Sequence, residues 1–338
     1  MPYYVRDVLQ ALDDLSGGRC LKTSADWSFA KNPFVVTKTS HIPGKSVTET
    51  PGLVWGDPDM PVKKVAVMMT MTESAIELAA ATGVNVMIAH HPIADAANSG
   101  GVLLKYYLSV YGIAAFELHE AFHGLHPGIP FLHGHKPTFS TVAYDGIPGN
   151  IVYIGDALPG IETVDDLLNR LDKLMHTSVD EQMLEAERKI KGTQNISETS
   201  VSARAMVLVG DRSRPVKRVI HMFPHTGFTA AHLEALVKEN PDVDTLIATI
   251  SRVYPGHELI AKAEELGLNL VCGNSHALEI FENGLPLAYA LKAHMPEQEI
   301  VMFRERVTST PLEEFGSLEI RDYAQDMSSH YLSKKGKI

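Results

Sequence analysis

Apolar residues along this chain fall into two patterns, short concentrated runs and stretches with helical spacing, and the two alternate. Predominantly apolar runs at 62–69, 84–89 and 113–118, and again at 217–222, 243–250 and 268–272, have the length of strands buried on both faces. Between them lie segments that read as helices. One starts at a capping box of Thr70 and Glu73 and reaches Ala81 ahead of Gly83, and another covers 102–111 and stops at Gly112. A third covers 229–238 before Pro241, and a fourth covers 257–266 before Gly267. Such a succession implies parallel strands joined by right-handed crossovers, so the expected fold is α/β, with two similar lobes facing a cleft. Residues 4–15 add an amphipathic helix with Val5, Val8, Leu9, Leu12 and Leu15 on its apolar side and Gly17-Gly18 as its stop.

The lobes are expected at 1–145 and 211–310, with an inserted middle segment at 146–210 and a C-terminal tail at 311–338. Residues 18–56, broken by Pro33, Pro43 and Pro51, read as a long loop with short strands, in which Asp26, Trp27 and His41 receive no role. The region 126–149 is rich in Pro, Gly and His and reads as a lid or linker, with His133 and His135 in a solvated loop. Residues 176–200 carry too much Glu, Lys, Gln and Ser to be core.

Three of the predicted strands end on candidate ligands. The run through Ile88 and Ala89 delivers His90 and His91, and Pro92 stops it. In open α/β sheets the C-terminal strand ends are where ligands bind. Successive side chains on a strand face opposite ways, so two adjacent histidines suit two neighbouring metals better than one, although they also suit hydrogen bonds to loop backbone. The strand at 113–118 runs into His119-Glu120-Ala121-Phe122-His123. If that turn is helical, His119 and His123 share a face and can serve one ion or two bridged ones. After the strand at 268–272, His276 and Glu279 stand three residues apart, and a carboxylate can bridge two cations where an imidazole cannot.

Composition sharpens this picture. Seven of the sixteen histidines fall between His90 and His135, and imidazole is a common ligand for zinc, copper, iron and nickel. A formal charge of −11 argues against binding a nucleic-acid backbone, which needs clustered Lys and Arg. Cys20 and Cys272 form neither a disulfide framework nor a Cys-x-x-Cys pair, as expected of a cytoplasmic protein. No apolar run is long enough to span a membrane, and the N-terminus lacks the basic start and apolar core of an export leader.

The stretch Gly52-Leu53-Val54-Trp55-Gly56-Asp57-Pro58 through His90-His91-Pro92, together with residues 273–279, resembles the dinuclear-metal-centre hexameric family. That family is known as GTP cyclohydrolase I type 2 homologues and as NGG-interacting-factor-three-like proteins. The family pattern has a His-His-Pro at a strand end, a His-Thr-x-x-Asp after the next strand and a Gly-His-x-x-x-Glu near the C-terminus. The resemblance implies that His90, His91, His276 and Glu279 are metal ligands and that the chain assembles as a toroidal homohexamer. His123 stands where the family has aspartate, Thr70 replaces the aspartate of the first strand-to-helix turn, and the His276-to-Glu279 spacing is three instead of four.

These readings converge on a metal-dependent hydrolase of a small-molecule substrate. Two divalent ions (zinc, iron, manganese or nickel) held by His90, His91, His119, His123, His276 and Glu279 would share and acidify a water for attack on an acyl, amidine or ring carbon. Glu120, His133 and His225 are candidates for proton transfer. The competing class is a non-catalytic metal-binding or metal-delivery protein with the same ligands. No phosphate loop, dinucleotide fingerprint or nucleophile elbow accompanies them, so the GTP association comes from the resemblance alone.

Overall fold

Strand runs made of Val, Ala, Met and Ile bury both of their faces, and this decides the architecture. The computed structural model describes residues 2–22, 31–39, 46–93, 104–147, 149–192, 203–223, 227–249 and 253–332. Asp26, Trp27, His41 and His225 lie outside these residues. The chain forms two compact units, one of residues 1–175 with 204–305 and one of 176–203 with 306–338.

In chain order, the larger unit begins with α1 (Val5–Leu15), the small antiparallel pair β1 (Thr37–Thr39) and β2 (Ser46–Thr48), and β3 (Gly52–Trp55). There follow β4 (Val65–Met68), α2 (Glu73–Ala81), β5 (Val86–Ala89), α3 (Leu104–Tyr111), β6 (Ala114–Glu117), α4 (Gly128–Leu132), β7 (His135–Thr141), β8 (Val152–Ala157) and α5 (Val164–Leu174). The smaller unit contributes α6 (Thr177–Lys191), after which the larger resumes with β9 (Met206–Val209), β10 (Arg218–Met222), α7 (Ala230–Glu239), β11 (Thr245–Ala248), α8 (Glu258–Glu265), β12 (Asn269–Cys272), α9 (Leu285–His294) and β13 (Ile300–Met302). α10 (Leu318–Met327) belongs to the smaller unit.

A five-stranded sheet in the order β13-β4-β5-β6-β3 is parallel except for its edge strand β3. Its alternating residues divide cleanly between two cores. Val65, Val67, Val86, Ile88 and Phe116 pack with α1 (Val5, Val8, Leu12) and α9 (Leu287, Leu291), whereas Ala66, Met68, Met87 and Ala115 pack with α2 (Ile76, Ala79) and α3 (Leu104, Leu108). Burial of such side chains contributes about 1.5–3 kcal/mol each.

The second sheet has six strands in the order β7-β8-β10-β11-β12-β9, with a parallel centre of β10, β11 and β12 and antiparallel strands on both sides. Ile220, Met222, Leu246, Ala248 and Leu270 bury one of its faces against Leu233 and Leu236 of α7 and Leu259 and Ala263 of α8. The predicted β-α-β-α-β series is thus present twice. Residues 146–210 supply β8 and β9 to this sheet, α5 in the same unit and α6 in the smaller one.

The expectations for 126–149 are corrected. Residues 126–149 are not a lid or linker: they contain α4 and β7, and His133 and His135 are completely buried. β7 tolerates Pro137 because it is an edge strand whose pairing with β8 shifts register between Pro137 and Phe139. Residues 177–191, polar as they are, form the helix α6, which Gly192 closes with φ of +67°. Among the described residues no helix is long and apolar enough to cross a membrane.

Candidate metal centre

β5 and β6 are adjacent parallel strands, so their C-terminal ends deliver His90-His91 and His119-Glu120 to one edge of the sheet. Beyond β6 the chain turns with Phe122 N–H donating to the His119 carbonyl at 2.8 Å and His123 N–H to the same carbonyl at 3.3 Å. That turn places the His119 and His123 rings 4.7 Å apart between centroids, with His90 at 5.1 Å from His119 and 5.3 Å from His123. His91 lies 5.7 Å from both His90 and His119.

The fifth predicted ligand arrives from the other sheet. After β12 a short 3₁₀ turn at 276–278 leads through Glu279 into a π-helical turn, Ile280–Gly284, and then α9. π turns are rare and recur at functional sites. Here the turn buries Glu279, Glu282 and Asn283 together. A Glu279 carboxylate oxygen is 2.9 Å from His91 Nε2, and the other is 3.5 Å from His90 Nε2 and accepts from Asn283 Nδ2 at 3.1 Å. Asn283 Nδ2 is also 3.1 Å from His90 Nε2.

The remaining ring nitrogens are held from behind. His90 Nδ1–H donates to the Leu118 carbonyl at 2.9 Å, which leaves Nε2 with its lone pair. Thr70 Oγ1 is 3.0 Å from His91 Nδ1, so the residue in the family's aspartate position still contacts a candidate ligand. It does not cap α2; Thr72 does, accepting from Ala75 N–H at 3.2 Å. Glu49 reaches His119 Nδ1 at 3.0 Å, and Glu120 reaches His123 Nδ1 at 3.2 Å. A carboxylate on the far nitrogen of an imidazole is the usual way to orient a metal-binding histidine. His123 Nε2 is buried and has no hydrogen-bond partner among the described residues.

Two sets of donors are close enough to hold an ion: one ligand atom each from His90, His119 and His123 within 4.8 Å of one another, and likewise from Glu49, His119 and Glu120. Protonation also fits. Burial pushes the His90 imidazole down to about 3 and lowers that of His119. Glu279 is completely buried, which favours the acid, yet His91 and His90 hold it well below the usual carboxylate range. Neutral imidazoles at His90 and His119 and an ionised carboxylate at Glu279 are donors that a cation can use.

Glu117, at the end of β6, ties the surrounding loops together by accepting from the backbone N–H of Thr50 and from Ile93 N–H at 2.9 Å. Burial raises its carboxyl to about 7.

The structure therefore gathers His90, His91, His119, His123, Glu120 and Glu279 in one place. His133 lies elsewhere, at the C-terminal end of α4 against His221 of the six-stranded sheet, and His225 is outside the described residues, as is the side chain of His276. Sequence reasoning missed Glu49, Asn283 and Glu117. Glu49 sits in the irregular stretch before β3 where no periodicity marks it, and Asn283 sits on a turn that helical spacing does not describe.

Residues 35–97, which include His90-His91-Pro92, match the family model Duf34/NIF3 (NGG1p interacting factor 3). The fold is similar to that of reduced HcgD from Methanocaldococcus jannaschii, at 16% identity and a TM-score of 0.57 over 89% of this chain and 98% of that one. It is also similar to a Bacillus cereus protein related to NIF3 (12%, TM-score 0.56, 91% and 98%) and to a hypothetical protein of Staphylococcus aureus (15%, TM-score 0.55, 90% and 97%). No curated protein matches the chain. The resemblance read from the motifs is thus borne out, by the family model over part of the chain and by the solved structures for the fold.

Proposed function

We propose that this chain is a metal-dependent hydrolase holding two divalent cations at the strand ends of its five-stranded sheet. The observation that carries the reading is His123 Nε2, buried without a partner beside His90 and His119 and oriented by Glu120. An unpaired buried polar atom costs about 1–3 kcal/mol, and an ion on these three imidazoles removes that cost. In this reading His90, His119 and His123 take one cation, and His91 and Glu279 take the other, joined by His276 as the resemblance implies. Bound there, such ions lower the pKa of a water and polarise the substrate.

The chain's own residues supply the rest. Glu49 and Glu120 hold His119 and His123 in orientation, and Asn283 fixes Glu279. Glu120 also borders a cavity of about 200 Å³ lined by Pro33, Phe34, Val36, Val142 and Gly149. This apolar space with one acid at its wall suits a small molecule, which favours catalysis over metal storage. Glu120 is the proton carrier we favour over His133. The homohexamer implied by the resemblance belongs to the same proposal.

Metal analysis of protein purified without added metal or affinity tag tests the reading. About two equivalents per chain, with at least one lost in His91→Ala, support it, and chelation followed by reconstitution then abolishes and restores hydrolysis in a panel of esters, amides and cyclic amidines. Metal that stays bound without any such activity favours the delivery protein. Near-zero occupancy after reconstitution overturns both.

A further inference from the structure

A second set of imidazoles is buried on the six-stranded sheet, apart from the centre above. β10 alternates, so Ile220 and Met222 pack toward α7 and α8, while His221 meets His133 and His135 on the other face. His133 follows α4, His135 opens β7, and Glu282 comes from the π turn; with His221, all four are completely buried. His135 Nε2 is 3.0 Å from His221 Nδ1, and His221 Nε2 engages Thr249 Oγ1. His133 Nε2, His135 Nδ1 and Glu282 Oε2 have no partner among the described residues. Buried polar atoms are almost always paired, so three orphans in one cluster mark a place that something polar completes.

The geometry around His133 narrows what that is. Its Nδ1–H donates to the Ile129 carbonyl at 2.9 Å, so Nε2 carries a lone pair. This is the same device that prepares His90. His133 Nε2 stands 3.8 Å from Glu282 Oε1, too far for a hydrogen bond. Two donors about 2.1 Å from one tetrahedral ion lie about 3.4 Å apart, which a small rotation reaches. Asn274 Nδ2 donates to Glu282 Oε1 at 3.0 Å and fixes the carboxylate. Gly273 keeps the space clear: a Cβ there would come within 2.8 Å of His133 Nε2 and 3.4 Å of Thr249 Oγ1.

We propose that His133 and Glu282 hold a further divalent cation of the zinc class, separate from the proposed hydrolytic pair, with water completing its coordination. Imidazole with carboxylate suits borderline ions such as zinc or cobalt better than calcium or magnesium, which take oxygen ligands.

Anomalous diffraction above and below the zinc edge, from crystals of the full chain grown in zinc, tests this. A peak between His133 and Glu282 is expected, resolved from any peak at His90, His119 and His123. In solution, cobalt(II) titration of Glu282→Gln should take up one equivalent fewer than the wild type. The His133–Glu282 peak persisting while the His90 centre stays empty would uphold this inference and overturn the proposed function. A water without anomalous signal at that position in saturating zinc would overturn this inference alone. Should Glu282→Gln fail to fold, the wild-type map decides, with His133→Gln as the second variant.

Discussion

At the ends of β5 and β6 the imidazoles already face carboxylates, Glu279 on His91, Glu49 on His119 and Glu120 on His123, whereas on the six-stranded sheet His133, His135 and His221 mostly face one another and Glu282 is, among the described residues, the one acid that reaches them. Both sets are buried, and burial, with neighbouring imidazoles adding to it at His90 and His135, keeps these two down to about 3 and His133 to about 4. The difference lies in the acids. Glu279 is ionised by the histidines it touches, but burial and the neighbouring Glu279 push Glu282 up to about 8. Whether a buried carboxyl is ready for a cation thus depends on what contacts it more than on how deeply it is buried.

That contrast can be broken most sharply at Glu279. Glu279→Gln keeps the shape and removes the charge, and metal affinity of the His90 centre should fall by about 10²-fold or more, beyond what indirect partners of a metal supply. Competition with a chromophoric chelator measures it, and the His133 site should keep its ion.

The next contrast is in pH. Glu282 must lose a proton to bind a cation, so affinity at His133 should drop about tenfold per unit as pH falls below 8, or about 100-fold by pH 6. The His90 centre, with Glu279 already ionised and His90 already neutral, should lose much less over the same interval. Equal slopes in a chelator-competition series would contradict the difference in the acids.

Thr70→Val removes the hydroxyl on His91 Nδ1 and should cost about tenfold in affinity at the His90 centre. Smallest is Gly273→Ala, whose methyl presses on His133: overpacking of about 1–3 kcal/mol should lower Tm by a few degrees while leaving the His90 centre's metal content unchanged.

Much of the scaffold was legible because buried parallel strands and capped helices write themselves into composition. The runs that became β4, β5, β6, β10, β11 and β12 have no other use for so many adjacent apolar residues. His90, His91, His119, His123 and Glu279 were legible because strand ends in such a sheet converge. His133 and His135 were misplaced because Gly134 and Pro137 flank them like loop residues, and only the pairing of β7 with β8 reveals that the segment is interior. The cap of α2 slipped from Thr72 to Thr70 because two threonines stand two residues apart, and only tertiary contact assigns one to the helix and the other to His91. Glu49 and Glu282 carry no sequence signal, since an isolated acid on an irregular segment resembles a solvated one.

The π turn at 280–284 has a mechanical consequence. Each residue of an α-helix advances the chain by about 100° around its axis, so a regular helix would lock the direction of Glu279 to that of Leu287 and Leu291. A wider turn inserted between them shifts the phase, and Glu279 can face the histidines while Leu287 and Leu291 stay seated against α1. The turn works as a fixed offset between a ligand and a packed core, so that one continuous helical segment serves two directions that a regular helix could not combine.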